Sequence, residues 1–229
     1  MINISLRNTI NAAVVGLSLV SISAHANYSF NFDGVDSGTS ANDNAVNPYA
    51  GVSFQSAYLA ADLDMNGFEI LDRNTNEPIP GFTHWEAYTD SDIRVNNPLD
   101  FNHGVAPSGT NALNGLNEQI FIKFDTAQNL NSFSAQLDNS LYGIYNASYT
   151  FVDRAGKVLS SVDFDSVDNK GSIIASGPVF GVQGVILSSG KFYDNVNIIN
   201  AAPVPEPETY AMLLVGLGLV GGFVRRRNS

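Results

Sequence analysis

The sequence predicts an all-β protein whose strands form a single antiparallel β-sandwich. Two observations lead to this fold class. Between Asn27 and Asn200, apolar residues do not recur at the spacing of three to four that a helix with one buried face requires. Instead, short runs of alternating apolar and polar residues recur between clusters of Gly, Pro, Asn and Asp, which are typical of turns. We therefore expect little helix between the two ends of the chain.

Two alternating segments predict strands most clearly. In residues 119–125, Ile120, Ile122 and Phe124 fall on one face of an extended chain, and residues 132–138 repeat the pattern. Strands of this kind bury one face and expose the other. Similar runs predict further strands at residues 28–33, 50–58, 144–153, 157–165, 179–188 and 191–199.

One pair of these runs predicts a β-hairpin. Residues 144–153 and 157–165 are separated by three residues that end in Gly156. A tight turn requires a residue with positive φ, and glycine adopts that conformation at no steric cost. We expect Gly156 to supply it.

The composition excludes several classes of function. The chain has 22 Asp and Glu against 11 Lys and Arg, a net charge of −11. Nucleic acid is therefore not an expected partner, because phosphate binding requires clustered positive charge. There is no cysteine, which excludes disulfides, thiolate metal sites and thiol catalysis. Solubility outside the cell explains the acidity, and calcium binding is the alternative, because Ca²⁺ prefers carboxylate and amide oxygens.

The N-terminal segment predicts export. Arg7 gives a positive start, residues 12–22 are apolar, and Ala24 and Ala26 form an A-x-A cleavage site. We expect residues 1–26 to be a helical signal peptide whose removal leaves Asn27 as the mature N-terminus.

The C-terminal segment predicts a second processing signal. Residues 201–209 form a proline-rich linker, and residues 210–229 an apolar helix that ends in an arginine cluster. The apolar run at residues 211–224 would rise ~21 Å as a helix, less than the ~30 Å of a bilayer core. The arginines should stay cytoplasmic and leave the domain at residues 27–200 outside the inner membrane. The signal consists of Val204, Pro205, Glu206, Pro207, Arg225, Arg226 and Arg227.

This order of parts resembles the PEP-CTERM sorting signal of Gram-negative bacteria. The resemblance implies that an exosortase-like membrane transpeptidase recognises and cuts the tail. It also implies a transient stay in the inner membrane, then a place in the cell envelope, on the cell surface or in the extracellular matrix, in association with exopolysaccharide and biofilm. The alternative is an ordinary C-terminal membrane anchor.

The mature domain resembles the jelly-roll sandwich of carbohydrate-binding modules. In such modules a structural calcium is held where the first and last strands meet. Carried over by position, the resemblance implies Asp33 and Asp194 as ligands. It rests on Phe32 with Asp33 and on residues 49–54, 106–113, 153–157 and 193–196.

A second candidate calcium site lies in one short turn. Asp62, Asp64, Asn66 and Gly67 match the first half of a calcium loop, in which alternate oxygens converge on one ion. The twelfth position, which should be glutamate, is Arg73, so this is not an EF-hand. The alternative is a surface turn in which these side chains accept hydrogen bonds from nearby backbone N–H groups.

Two aromatic residues are candidate sugar contacts. On a strand, Trp85 and Tyr88 would lie on opposite faces, with His84 and Glu86 on the face of Tyr88. An exposed indole can stack on a sugar ring, whereas a core position is the alternative for the only tryptophan of the chain.

The sequence contains little catalytic chemistry. The mature chain has only His84 and His103 as histidines and no G-x-S-x-G nucleophile motif. Glu86 and Glu118 could form a glycosidase pair, but nothing in the sequence places them together. We therefore expect a non-enzymatic exported protein, with calcium as a structural cofactor and extracellular polysaccharide as a partner. A carbohydrate-binding or adhesive module and a secreted glycoside hydrolase are the alternatives.

Overall fold

The computed structural model describes residues 27–79, 81–88, 92–102, 105–138, 146–165, 168–169 and 171–201. These residues belong to one compact unit, and their only helical turn is a 3₁₀ turn at Pro98–Phe101. The strands are β1 (Tyr28–Phe30), β2 (Thr39–Ser40), β3 (Val52–Ala61), β4 (Thr83–Ala87), β5 (Arg94–Asn96), β6 (Ala112–Gly115), β7 (Gln119–Leu137), β8 (Asn146–Val152), β9 (Val158–Asp165), β10 (Ile173–Ala175), β11 (Val179–Leu187) and β12 (Lys191–Asn200).

Hydrogen bonding joins all these strands into one antiparallel sheet. The main order is β2-β5-β6-β12-β7-β11-β8-β9, with β1 on β12, β10 and β3 on β7, and β4 on β3. The predicted all-β, antiparallel fold is confirmed. The sequence predicts two packed sheets, whereas the strands here form a single hydrogen-bonded network, so the sandwich stays a prediction.

Strand β7 explains why the network is continuous. Its first part pairs with β3 and β11, and its second part pairs with β12 and β10. The sequence predicts two strands here, at residues 119–125 and 132–138, but the structure has one of 19 residues. The connecting residues contain neither Gly nor Pro to stop a strand, and buried Leu130 contributes to the core.

The core collects side chains from both sets of strands that β7 connects. As predicted, Ile120, Ile122 and Phe124 are fully buried on one face of β7. Phe30 of β1 meets Phe54 of β3 with ring centroids 5.0 Å apart, in an edge-to-face arrangement. Strands at different positions in the sheet therefore pack their side chains together.

The hairpin of β8 and β9 is confirmed, with Asn146 opposite Asp165 at its open end. At its turn, Asp153 Oδ1 accepts the N–H groups of Ala155 and Lys157 at 2.8 and 3.0 Å. Gly156 has φ of +73°, as the sequence predicts.

The two terminal segments lie outside the described residues. The predicted signal peptide with Ala24 and Ala26, and the sorting signal at residues 204–227, are therefore not part of this description. None of the described segments forms a helix with the length and apolar character needed to span a bilayer.

Candidate functional site

The pairing of the first and last strands brings Asp33 and Asp194 together. β1 runs antiparallel to β12, with Phe30 opposite Val196, so the residue positions that follow Phe30 approach Asp194. The two carboxylates meet at one hydroxyl: Ser108 Oγ lies 2.9 Å from Asp33 Oδ1 and 2.7 Å from Asp194 Oδ2.

The surroundings of this junction differ for the two carboxylates. Asp194 is fully buried, and it accepts the backbone N–H groups of Ser108 at 3.2 Å and Asn195 at 2.7 Å. Asp33 is exposed. Gly109, with φ of +54°, packs so closely against Asp33 that any Cβ there would collide with the carboxylate. The junction is thus built around these two carboxylates.

The donor chemistry of the junction suits a hard cation. A serine hydroxyl has one proton and can donate it to only one of the two carboxylates. The other carboxylate oxygen then faces a hydroxyl oxygen, a contact that a cation between them would relieve. The described residues contain no group of three or more His, Cys, Asp or Glu side chains placed for a metal.

In the turn at Asp62 to Gly67, unlike at the junction of β1 and β12, the two acidic side chains do not share a partner. Asp62 is paired with the Lys157 ammonium and, at 2.9 Å, with His84 Nδ1. The hydrogen bond from Lys157 lowers the pKa of Asp62, and that from His84 acts in the same direction.

Asp64 is engaged by its own turn. Its Oδ1 accepts the N–H groups of Phe68 at 3.0 Å and Asn66 at 2.8 Å, which lowers the pKa of Asp64. Asp62 and Asp64 therefore point to different partners, and the Asn66 side chain adds only a 3.5 Å contact with Asp64. The geometry is that of the surface turn rather than of converging ligands.

Trp85 lies on one face of β4, opposite Leu59 of β3. It is partly exposed and packs against a small apolar cluster that includes Phe121 and Ile186. Its backbone N–H donates to the Gly156 carbonyl oxygen at 2.8 Å, which attaches β4 to the turn of the β8–β9 hairpin. Trp85 thus combines the two alternatives, a partial packing role and an accessible indole.

An open cleft of about 260 Å³ borders Trp85. Gln55, Lys123 and Arg154 also line it. The Gln55 side-chain oxygen Oε1 is buried and accepts no hydrogen bond. A buried oxygen without a donor costs free energy, so this position lowers the stability of the domain.

The opposite face of β4 carries a closed polar network. Glu86 lies opposite Tyr58 in the β3–β4 pairing and accepts the Tyr58 hydroxyl proton. Its other oxygen lies 2.9 Å from His84 Nε2, and His84 Nδ1 contacts Asp62. Tyr88 stacks beside Tyr58 with ring centroids 4.5 Å apart. The side chains of Tyr58, His84, Glu86 and Asp62 therefore all have partners within the protein.

The network also shifts the pKa values of Glu86 and His84. The Tyr58 hydrogen bond, followed by that from His84, lowers the pKa of Glu86. Burial alone would lower the pKa of His84, but its hydrogen bonds to Glu86 and Asp62 outweigh burial and raise that pKa. Sequence reasoning missed Tyr58 and Lys157, because only strand pairing shows which residues lie opposite each other.

The remaining catalytic candidates do not meet in one described site. Glu118 accepts the Ser56 hydroxyl proton, whereas Glu86 is held by Tyr58 and His84. His103 lies outside the described residues. Trp85 and Tyr88, the candidate sugar contacts, lie on opposite faces of the β4 segment and do not form one platform.

Residues 203–228 match the PEP-CTERM protein-sorting motif. All the predicted sorting residues, from Val204 to Arg227, fall within this match. The PEP-CTERM motif marks an exported protein that passes the membrane, is processed by an exosortase-like system and is anchored or sorted to the envelope.

Comparison of the whole chain adds little to the motif. No curated protein matches the sequence. The chain is similar to a cyclase from Fischerella sp. TAU, with 11% identity and a TM-score of 0.37, over 78% of this chain and 100% of the other. It is also similar to the cleaved K2 adhesin domain of Lys-gingipain, with 9% identity and a TM-score of 0.31, over 76% of this chain and 99% of the other. At this level neither likeness supports a functional argument.

Proposed function

We propose that this protein is a non-enzymatic component of the cell envelope or extracellular matrix that associates with exopolysaccharide, as in a biofilm. The PEP-CTERM motif supports its export and sorting. Its place in the inner membrane is transient in this proposal, because the apolar run at residues 211–224 is short for a lasting anchor. The acidic composition suits a soluble domain outside the cell.

The cleft beside Trp85 is the observation that supports polysaccharide binding. A sugar ring has an apolar face of C–H groups and an edge of hydroxyl groups. The partly exposed Trp85 side chain suits the first, and the exposed Lys123 and Arg154 side chains offer donors to the second. This favours a carbohydrate-binding or adhesive role for the domain.

A two-layer, jelly-roll-like arrangement of the sheet is part of the proposal. β7 exchanges partners half-way along its length, which lets one continuous strand belong to both layers. The contact between Phe30 and Phe54 is of the kind that such layers make. The helical signal peptide and the short C-terminal helix also stay proposals.

Calcium is proposed as a structural cofactor at the junction of β1 and β12. Asp33, Ser108 and Asp194 would hold it, because their carboxylate and hydroxyl oxygens fit a hard cation. The bound ion would neutralise two adjacent carboxylates. It would thereby link the segment after the first strand to the last strand.

A secreted glycoside hydrolase is the competing function. Such an enzyme needs a carboxylic acid whose pKa is raised, so that it stays protonated near neutral pH. The hydrogen bonds from Tyr58 and His84 instead lower the pKa of Glu86, which keeps that carboxyl group ionised. Glu86 is therefore poorly suited to be the general acid.

One experiment separates these functions. The protein is incubated with exopolysaccharide from the producing cells, the bound fraction is measured by co-sedimentation, and new reducing ends are counted. We expect binding without new reducing ends. New reducing ends would favour the hydrolase, and absence of both would favour a matrix component that does not itself bind sugar.

A further inference from the structure

Positive charge is scarce in this protein, and two of its cations line one cleft. Of 11 Lys and Arg residues, Arg7 and the three arginines at 225–227 belong to the terminal segments, which leaves seven for the domain. Lys123 and Arg154 both line the cleft beside Trp85 and are exposed.

These two cations differ from others in the domain. Lys191 is buried against Asp138, and Lys157 is paired with Asp62. Within the described part of the chain, neither Lys123 nor Arg154 makes a side-chain hydrogen bond or ion pair. Their charges are therefore available to a ligand.

Two carboxylates, Asp153 and Glu86, also border the cleft, but neither forms an ion pair with Lys123 or Arg154 among the described residues. Asp153 accepts the backbone N–H groups of Ala155 and Lys157 and closes the hairpin turn. Glu86 is held on the opposite face of β4 by Tyr58 and His84. Both acids keep their negative charge but are engaged by other groups, so the side chains of Lys123 and Arg154 are left to pair with an anion that enters the cleft.

Two further polar groups of the cleft have no hydrogen-bond partner among the described residues, whereas the Gln183 amide N–H donates to the Phe124 carbonyl oxygen. Gln55 Oε1 is a buried acceptor without a donor. The Trp85 indole N–H has no acceptor among the described residues. The cleft thus combines a partly exposed aromatic side chain, one neutral donor and two cations within about 260 Å³.

We infer that the cleft binds an acidic saccharide, a hexuronate unit within a polysaccharide chain. Trp85 would stack on the pyranose ring, and Lys123 and Arg154 would pair with the ring's carboxylate. A protein of net charge −11 repels an acidic polymer over most of its surface, so the contact requires local cations. This inference rests on the proposed polysaccharide binding and specifies its substrate class.

The test compares matched neutral and acidic ligands. The full-length protein is titrated calorimetrically with β-1,4-glucan hexasaccharide and with its C6-oxidised form, β-1,4-glucuronan, at the same calcium concentration and ionic strength. We expect the glucuronan to bind roughly tenfold more tightly, the size of effect typical of one charge-assisted hydrogen bond.

Two variants test whether the preference for glucuronan depends on the cations of this cleft. Lys123→Gln combined with Arg154→Gln should bind both oligosaccharides equally, and its melting temperature should not change, because both side chains are exposed and unpaired. Arg73→Gln removes one charge from an exposed position outside the cleft and should keep the preference.

The outcomes distinguish this inference from the proposed function. Equal affinity of the wild type for both oligosaccharides would overturn the acidic preference and leave polysaccharide binding intact. A preference that survives in the double variant would overturn the assignment to this cleft. Failure to bind either oligosaccharide would overturn the inference, while co-sedimentation with native exopolysaccharide decides separately whether the proposed function fails.

Discussion

Strand β4 has an open face, on which Trp85 borders a cleft, and a closed face, on which the side chains of His84 and Glu86 hydrogen-bond to each other beside a second cleft of about 440 Å³. Both faces combine aromatic rings with ionisable side chains. On the closed face, Tyr58, Glu86 and His84 bond to each other. On the open face, Gln55 Oε1 has no donor. Residue type alone therefore does not mark a binding site, since the deciding property is unused hydrogen-bonding capacity.

The same contrast separates the two candidate calcium positions. At Asp62, the carboxylate is already paired with Lys157 and His84. At Asp33 and Asp194, two carboxylates share one hydroxyl and its single proton. An ion would relieve a conflict at the second position, and at the first it would have to displace two partners.

The largest expected effect comes from disrupting the contact between Trp85 and Gly156, which attaches β4 to the β8–β9 turn. In Gly156→Ala, the new Cβ would collide with the Trp85 carbonyl oxygen at a residue whose φ is +73°. We expect a loss of about 3 kcal/mol in the free energy of unfolding, measured by urea denaturation. Gly34→Ala is the control, because nothing lies near its Cβ, and it should change stability by less than about 0.5 kcal/mol. Equal losses of stability in Gly156→Ala and Gly34→Ala would contradict the role of Gly156 in supporting β4.

Calcium-dependent melting tests whether Asp33 and Asp194, rather than Asp62, form the metal site. Saturating calcium should stabilise the wild type, by about 2.7 kcal/mol at a hundredfold excess over the dissociation constant. Asp33→Asn should abolish the rise in melting temperature, whereas Asp62→Asn should keep it. The opposite pattern would place the ion at the Asp62 turn, and a melting temperature indifferent to calcium and chelator would remove the metal.

The smallest expected effect concerns the closed face and depends on pH. The folded-state pKa of His84 is raised, so its stabilisation is fully present below the unfolded pKa of about 6.5 and is lost as pH rises through the folded value. Glu86 and Asp62 have lowered pKa values and stay ionised at pH 5.5. His84→Gln should therefore lower the melting temperature more at pH 5.5 than at pH 8.5. An equal loss at both pH values would contradict the charged network.

Much of the fold was predictable from local pattern. Alternation placed Ile120, Ile122 and Phe124 in the core, and Gly156 was recognisable as a turn residue from the runs that flank it. The continuity of β7 was not predictable, because the polar residues between its two halves resemble a loop until their strand partners are known.

The candidate sites were predictable only in part. Asp33 and Asp194 could be placed together because they lie near the ends of the first and last strands. The pairing of Asp62 with Lys157, which are 95 positions apart, depends on how the hairpin packs beside β4. No local pattern contains that information. The lack of a hydrogen-bond donor to Gln55 Oε1 likewise follows from three-dimensional packing alone.

The most direct test of the open face compares Trp85→Ala with Tyr88→Ala in binding to native exopolysaccharide. Both changes remove a partly or largely exposed aromatic side chain from the same short segment. We predict that Trp85→Ala weakens binding by roughly tenfold or more, as truncation of a central aromatic contact does, and that Tyr88→Ala stays within about twofold of the wild type. Unchanged binding by Trp85→Ala, or an equal loss in Tyr88→Ala, would contradict the assignment of ligand binding to the Trp85 face.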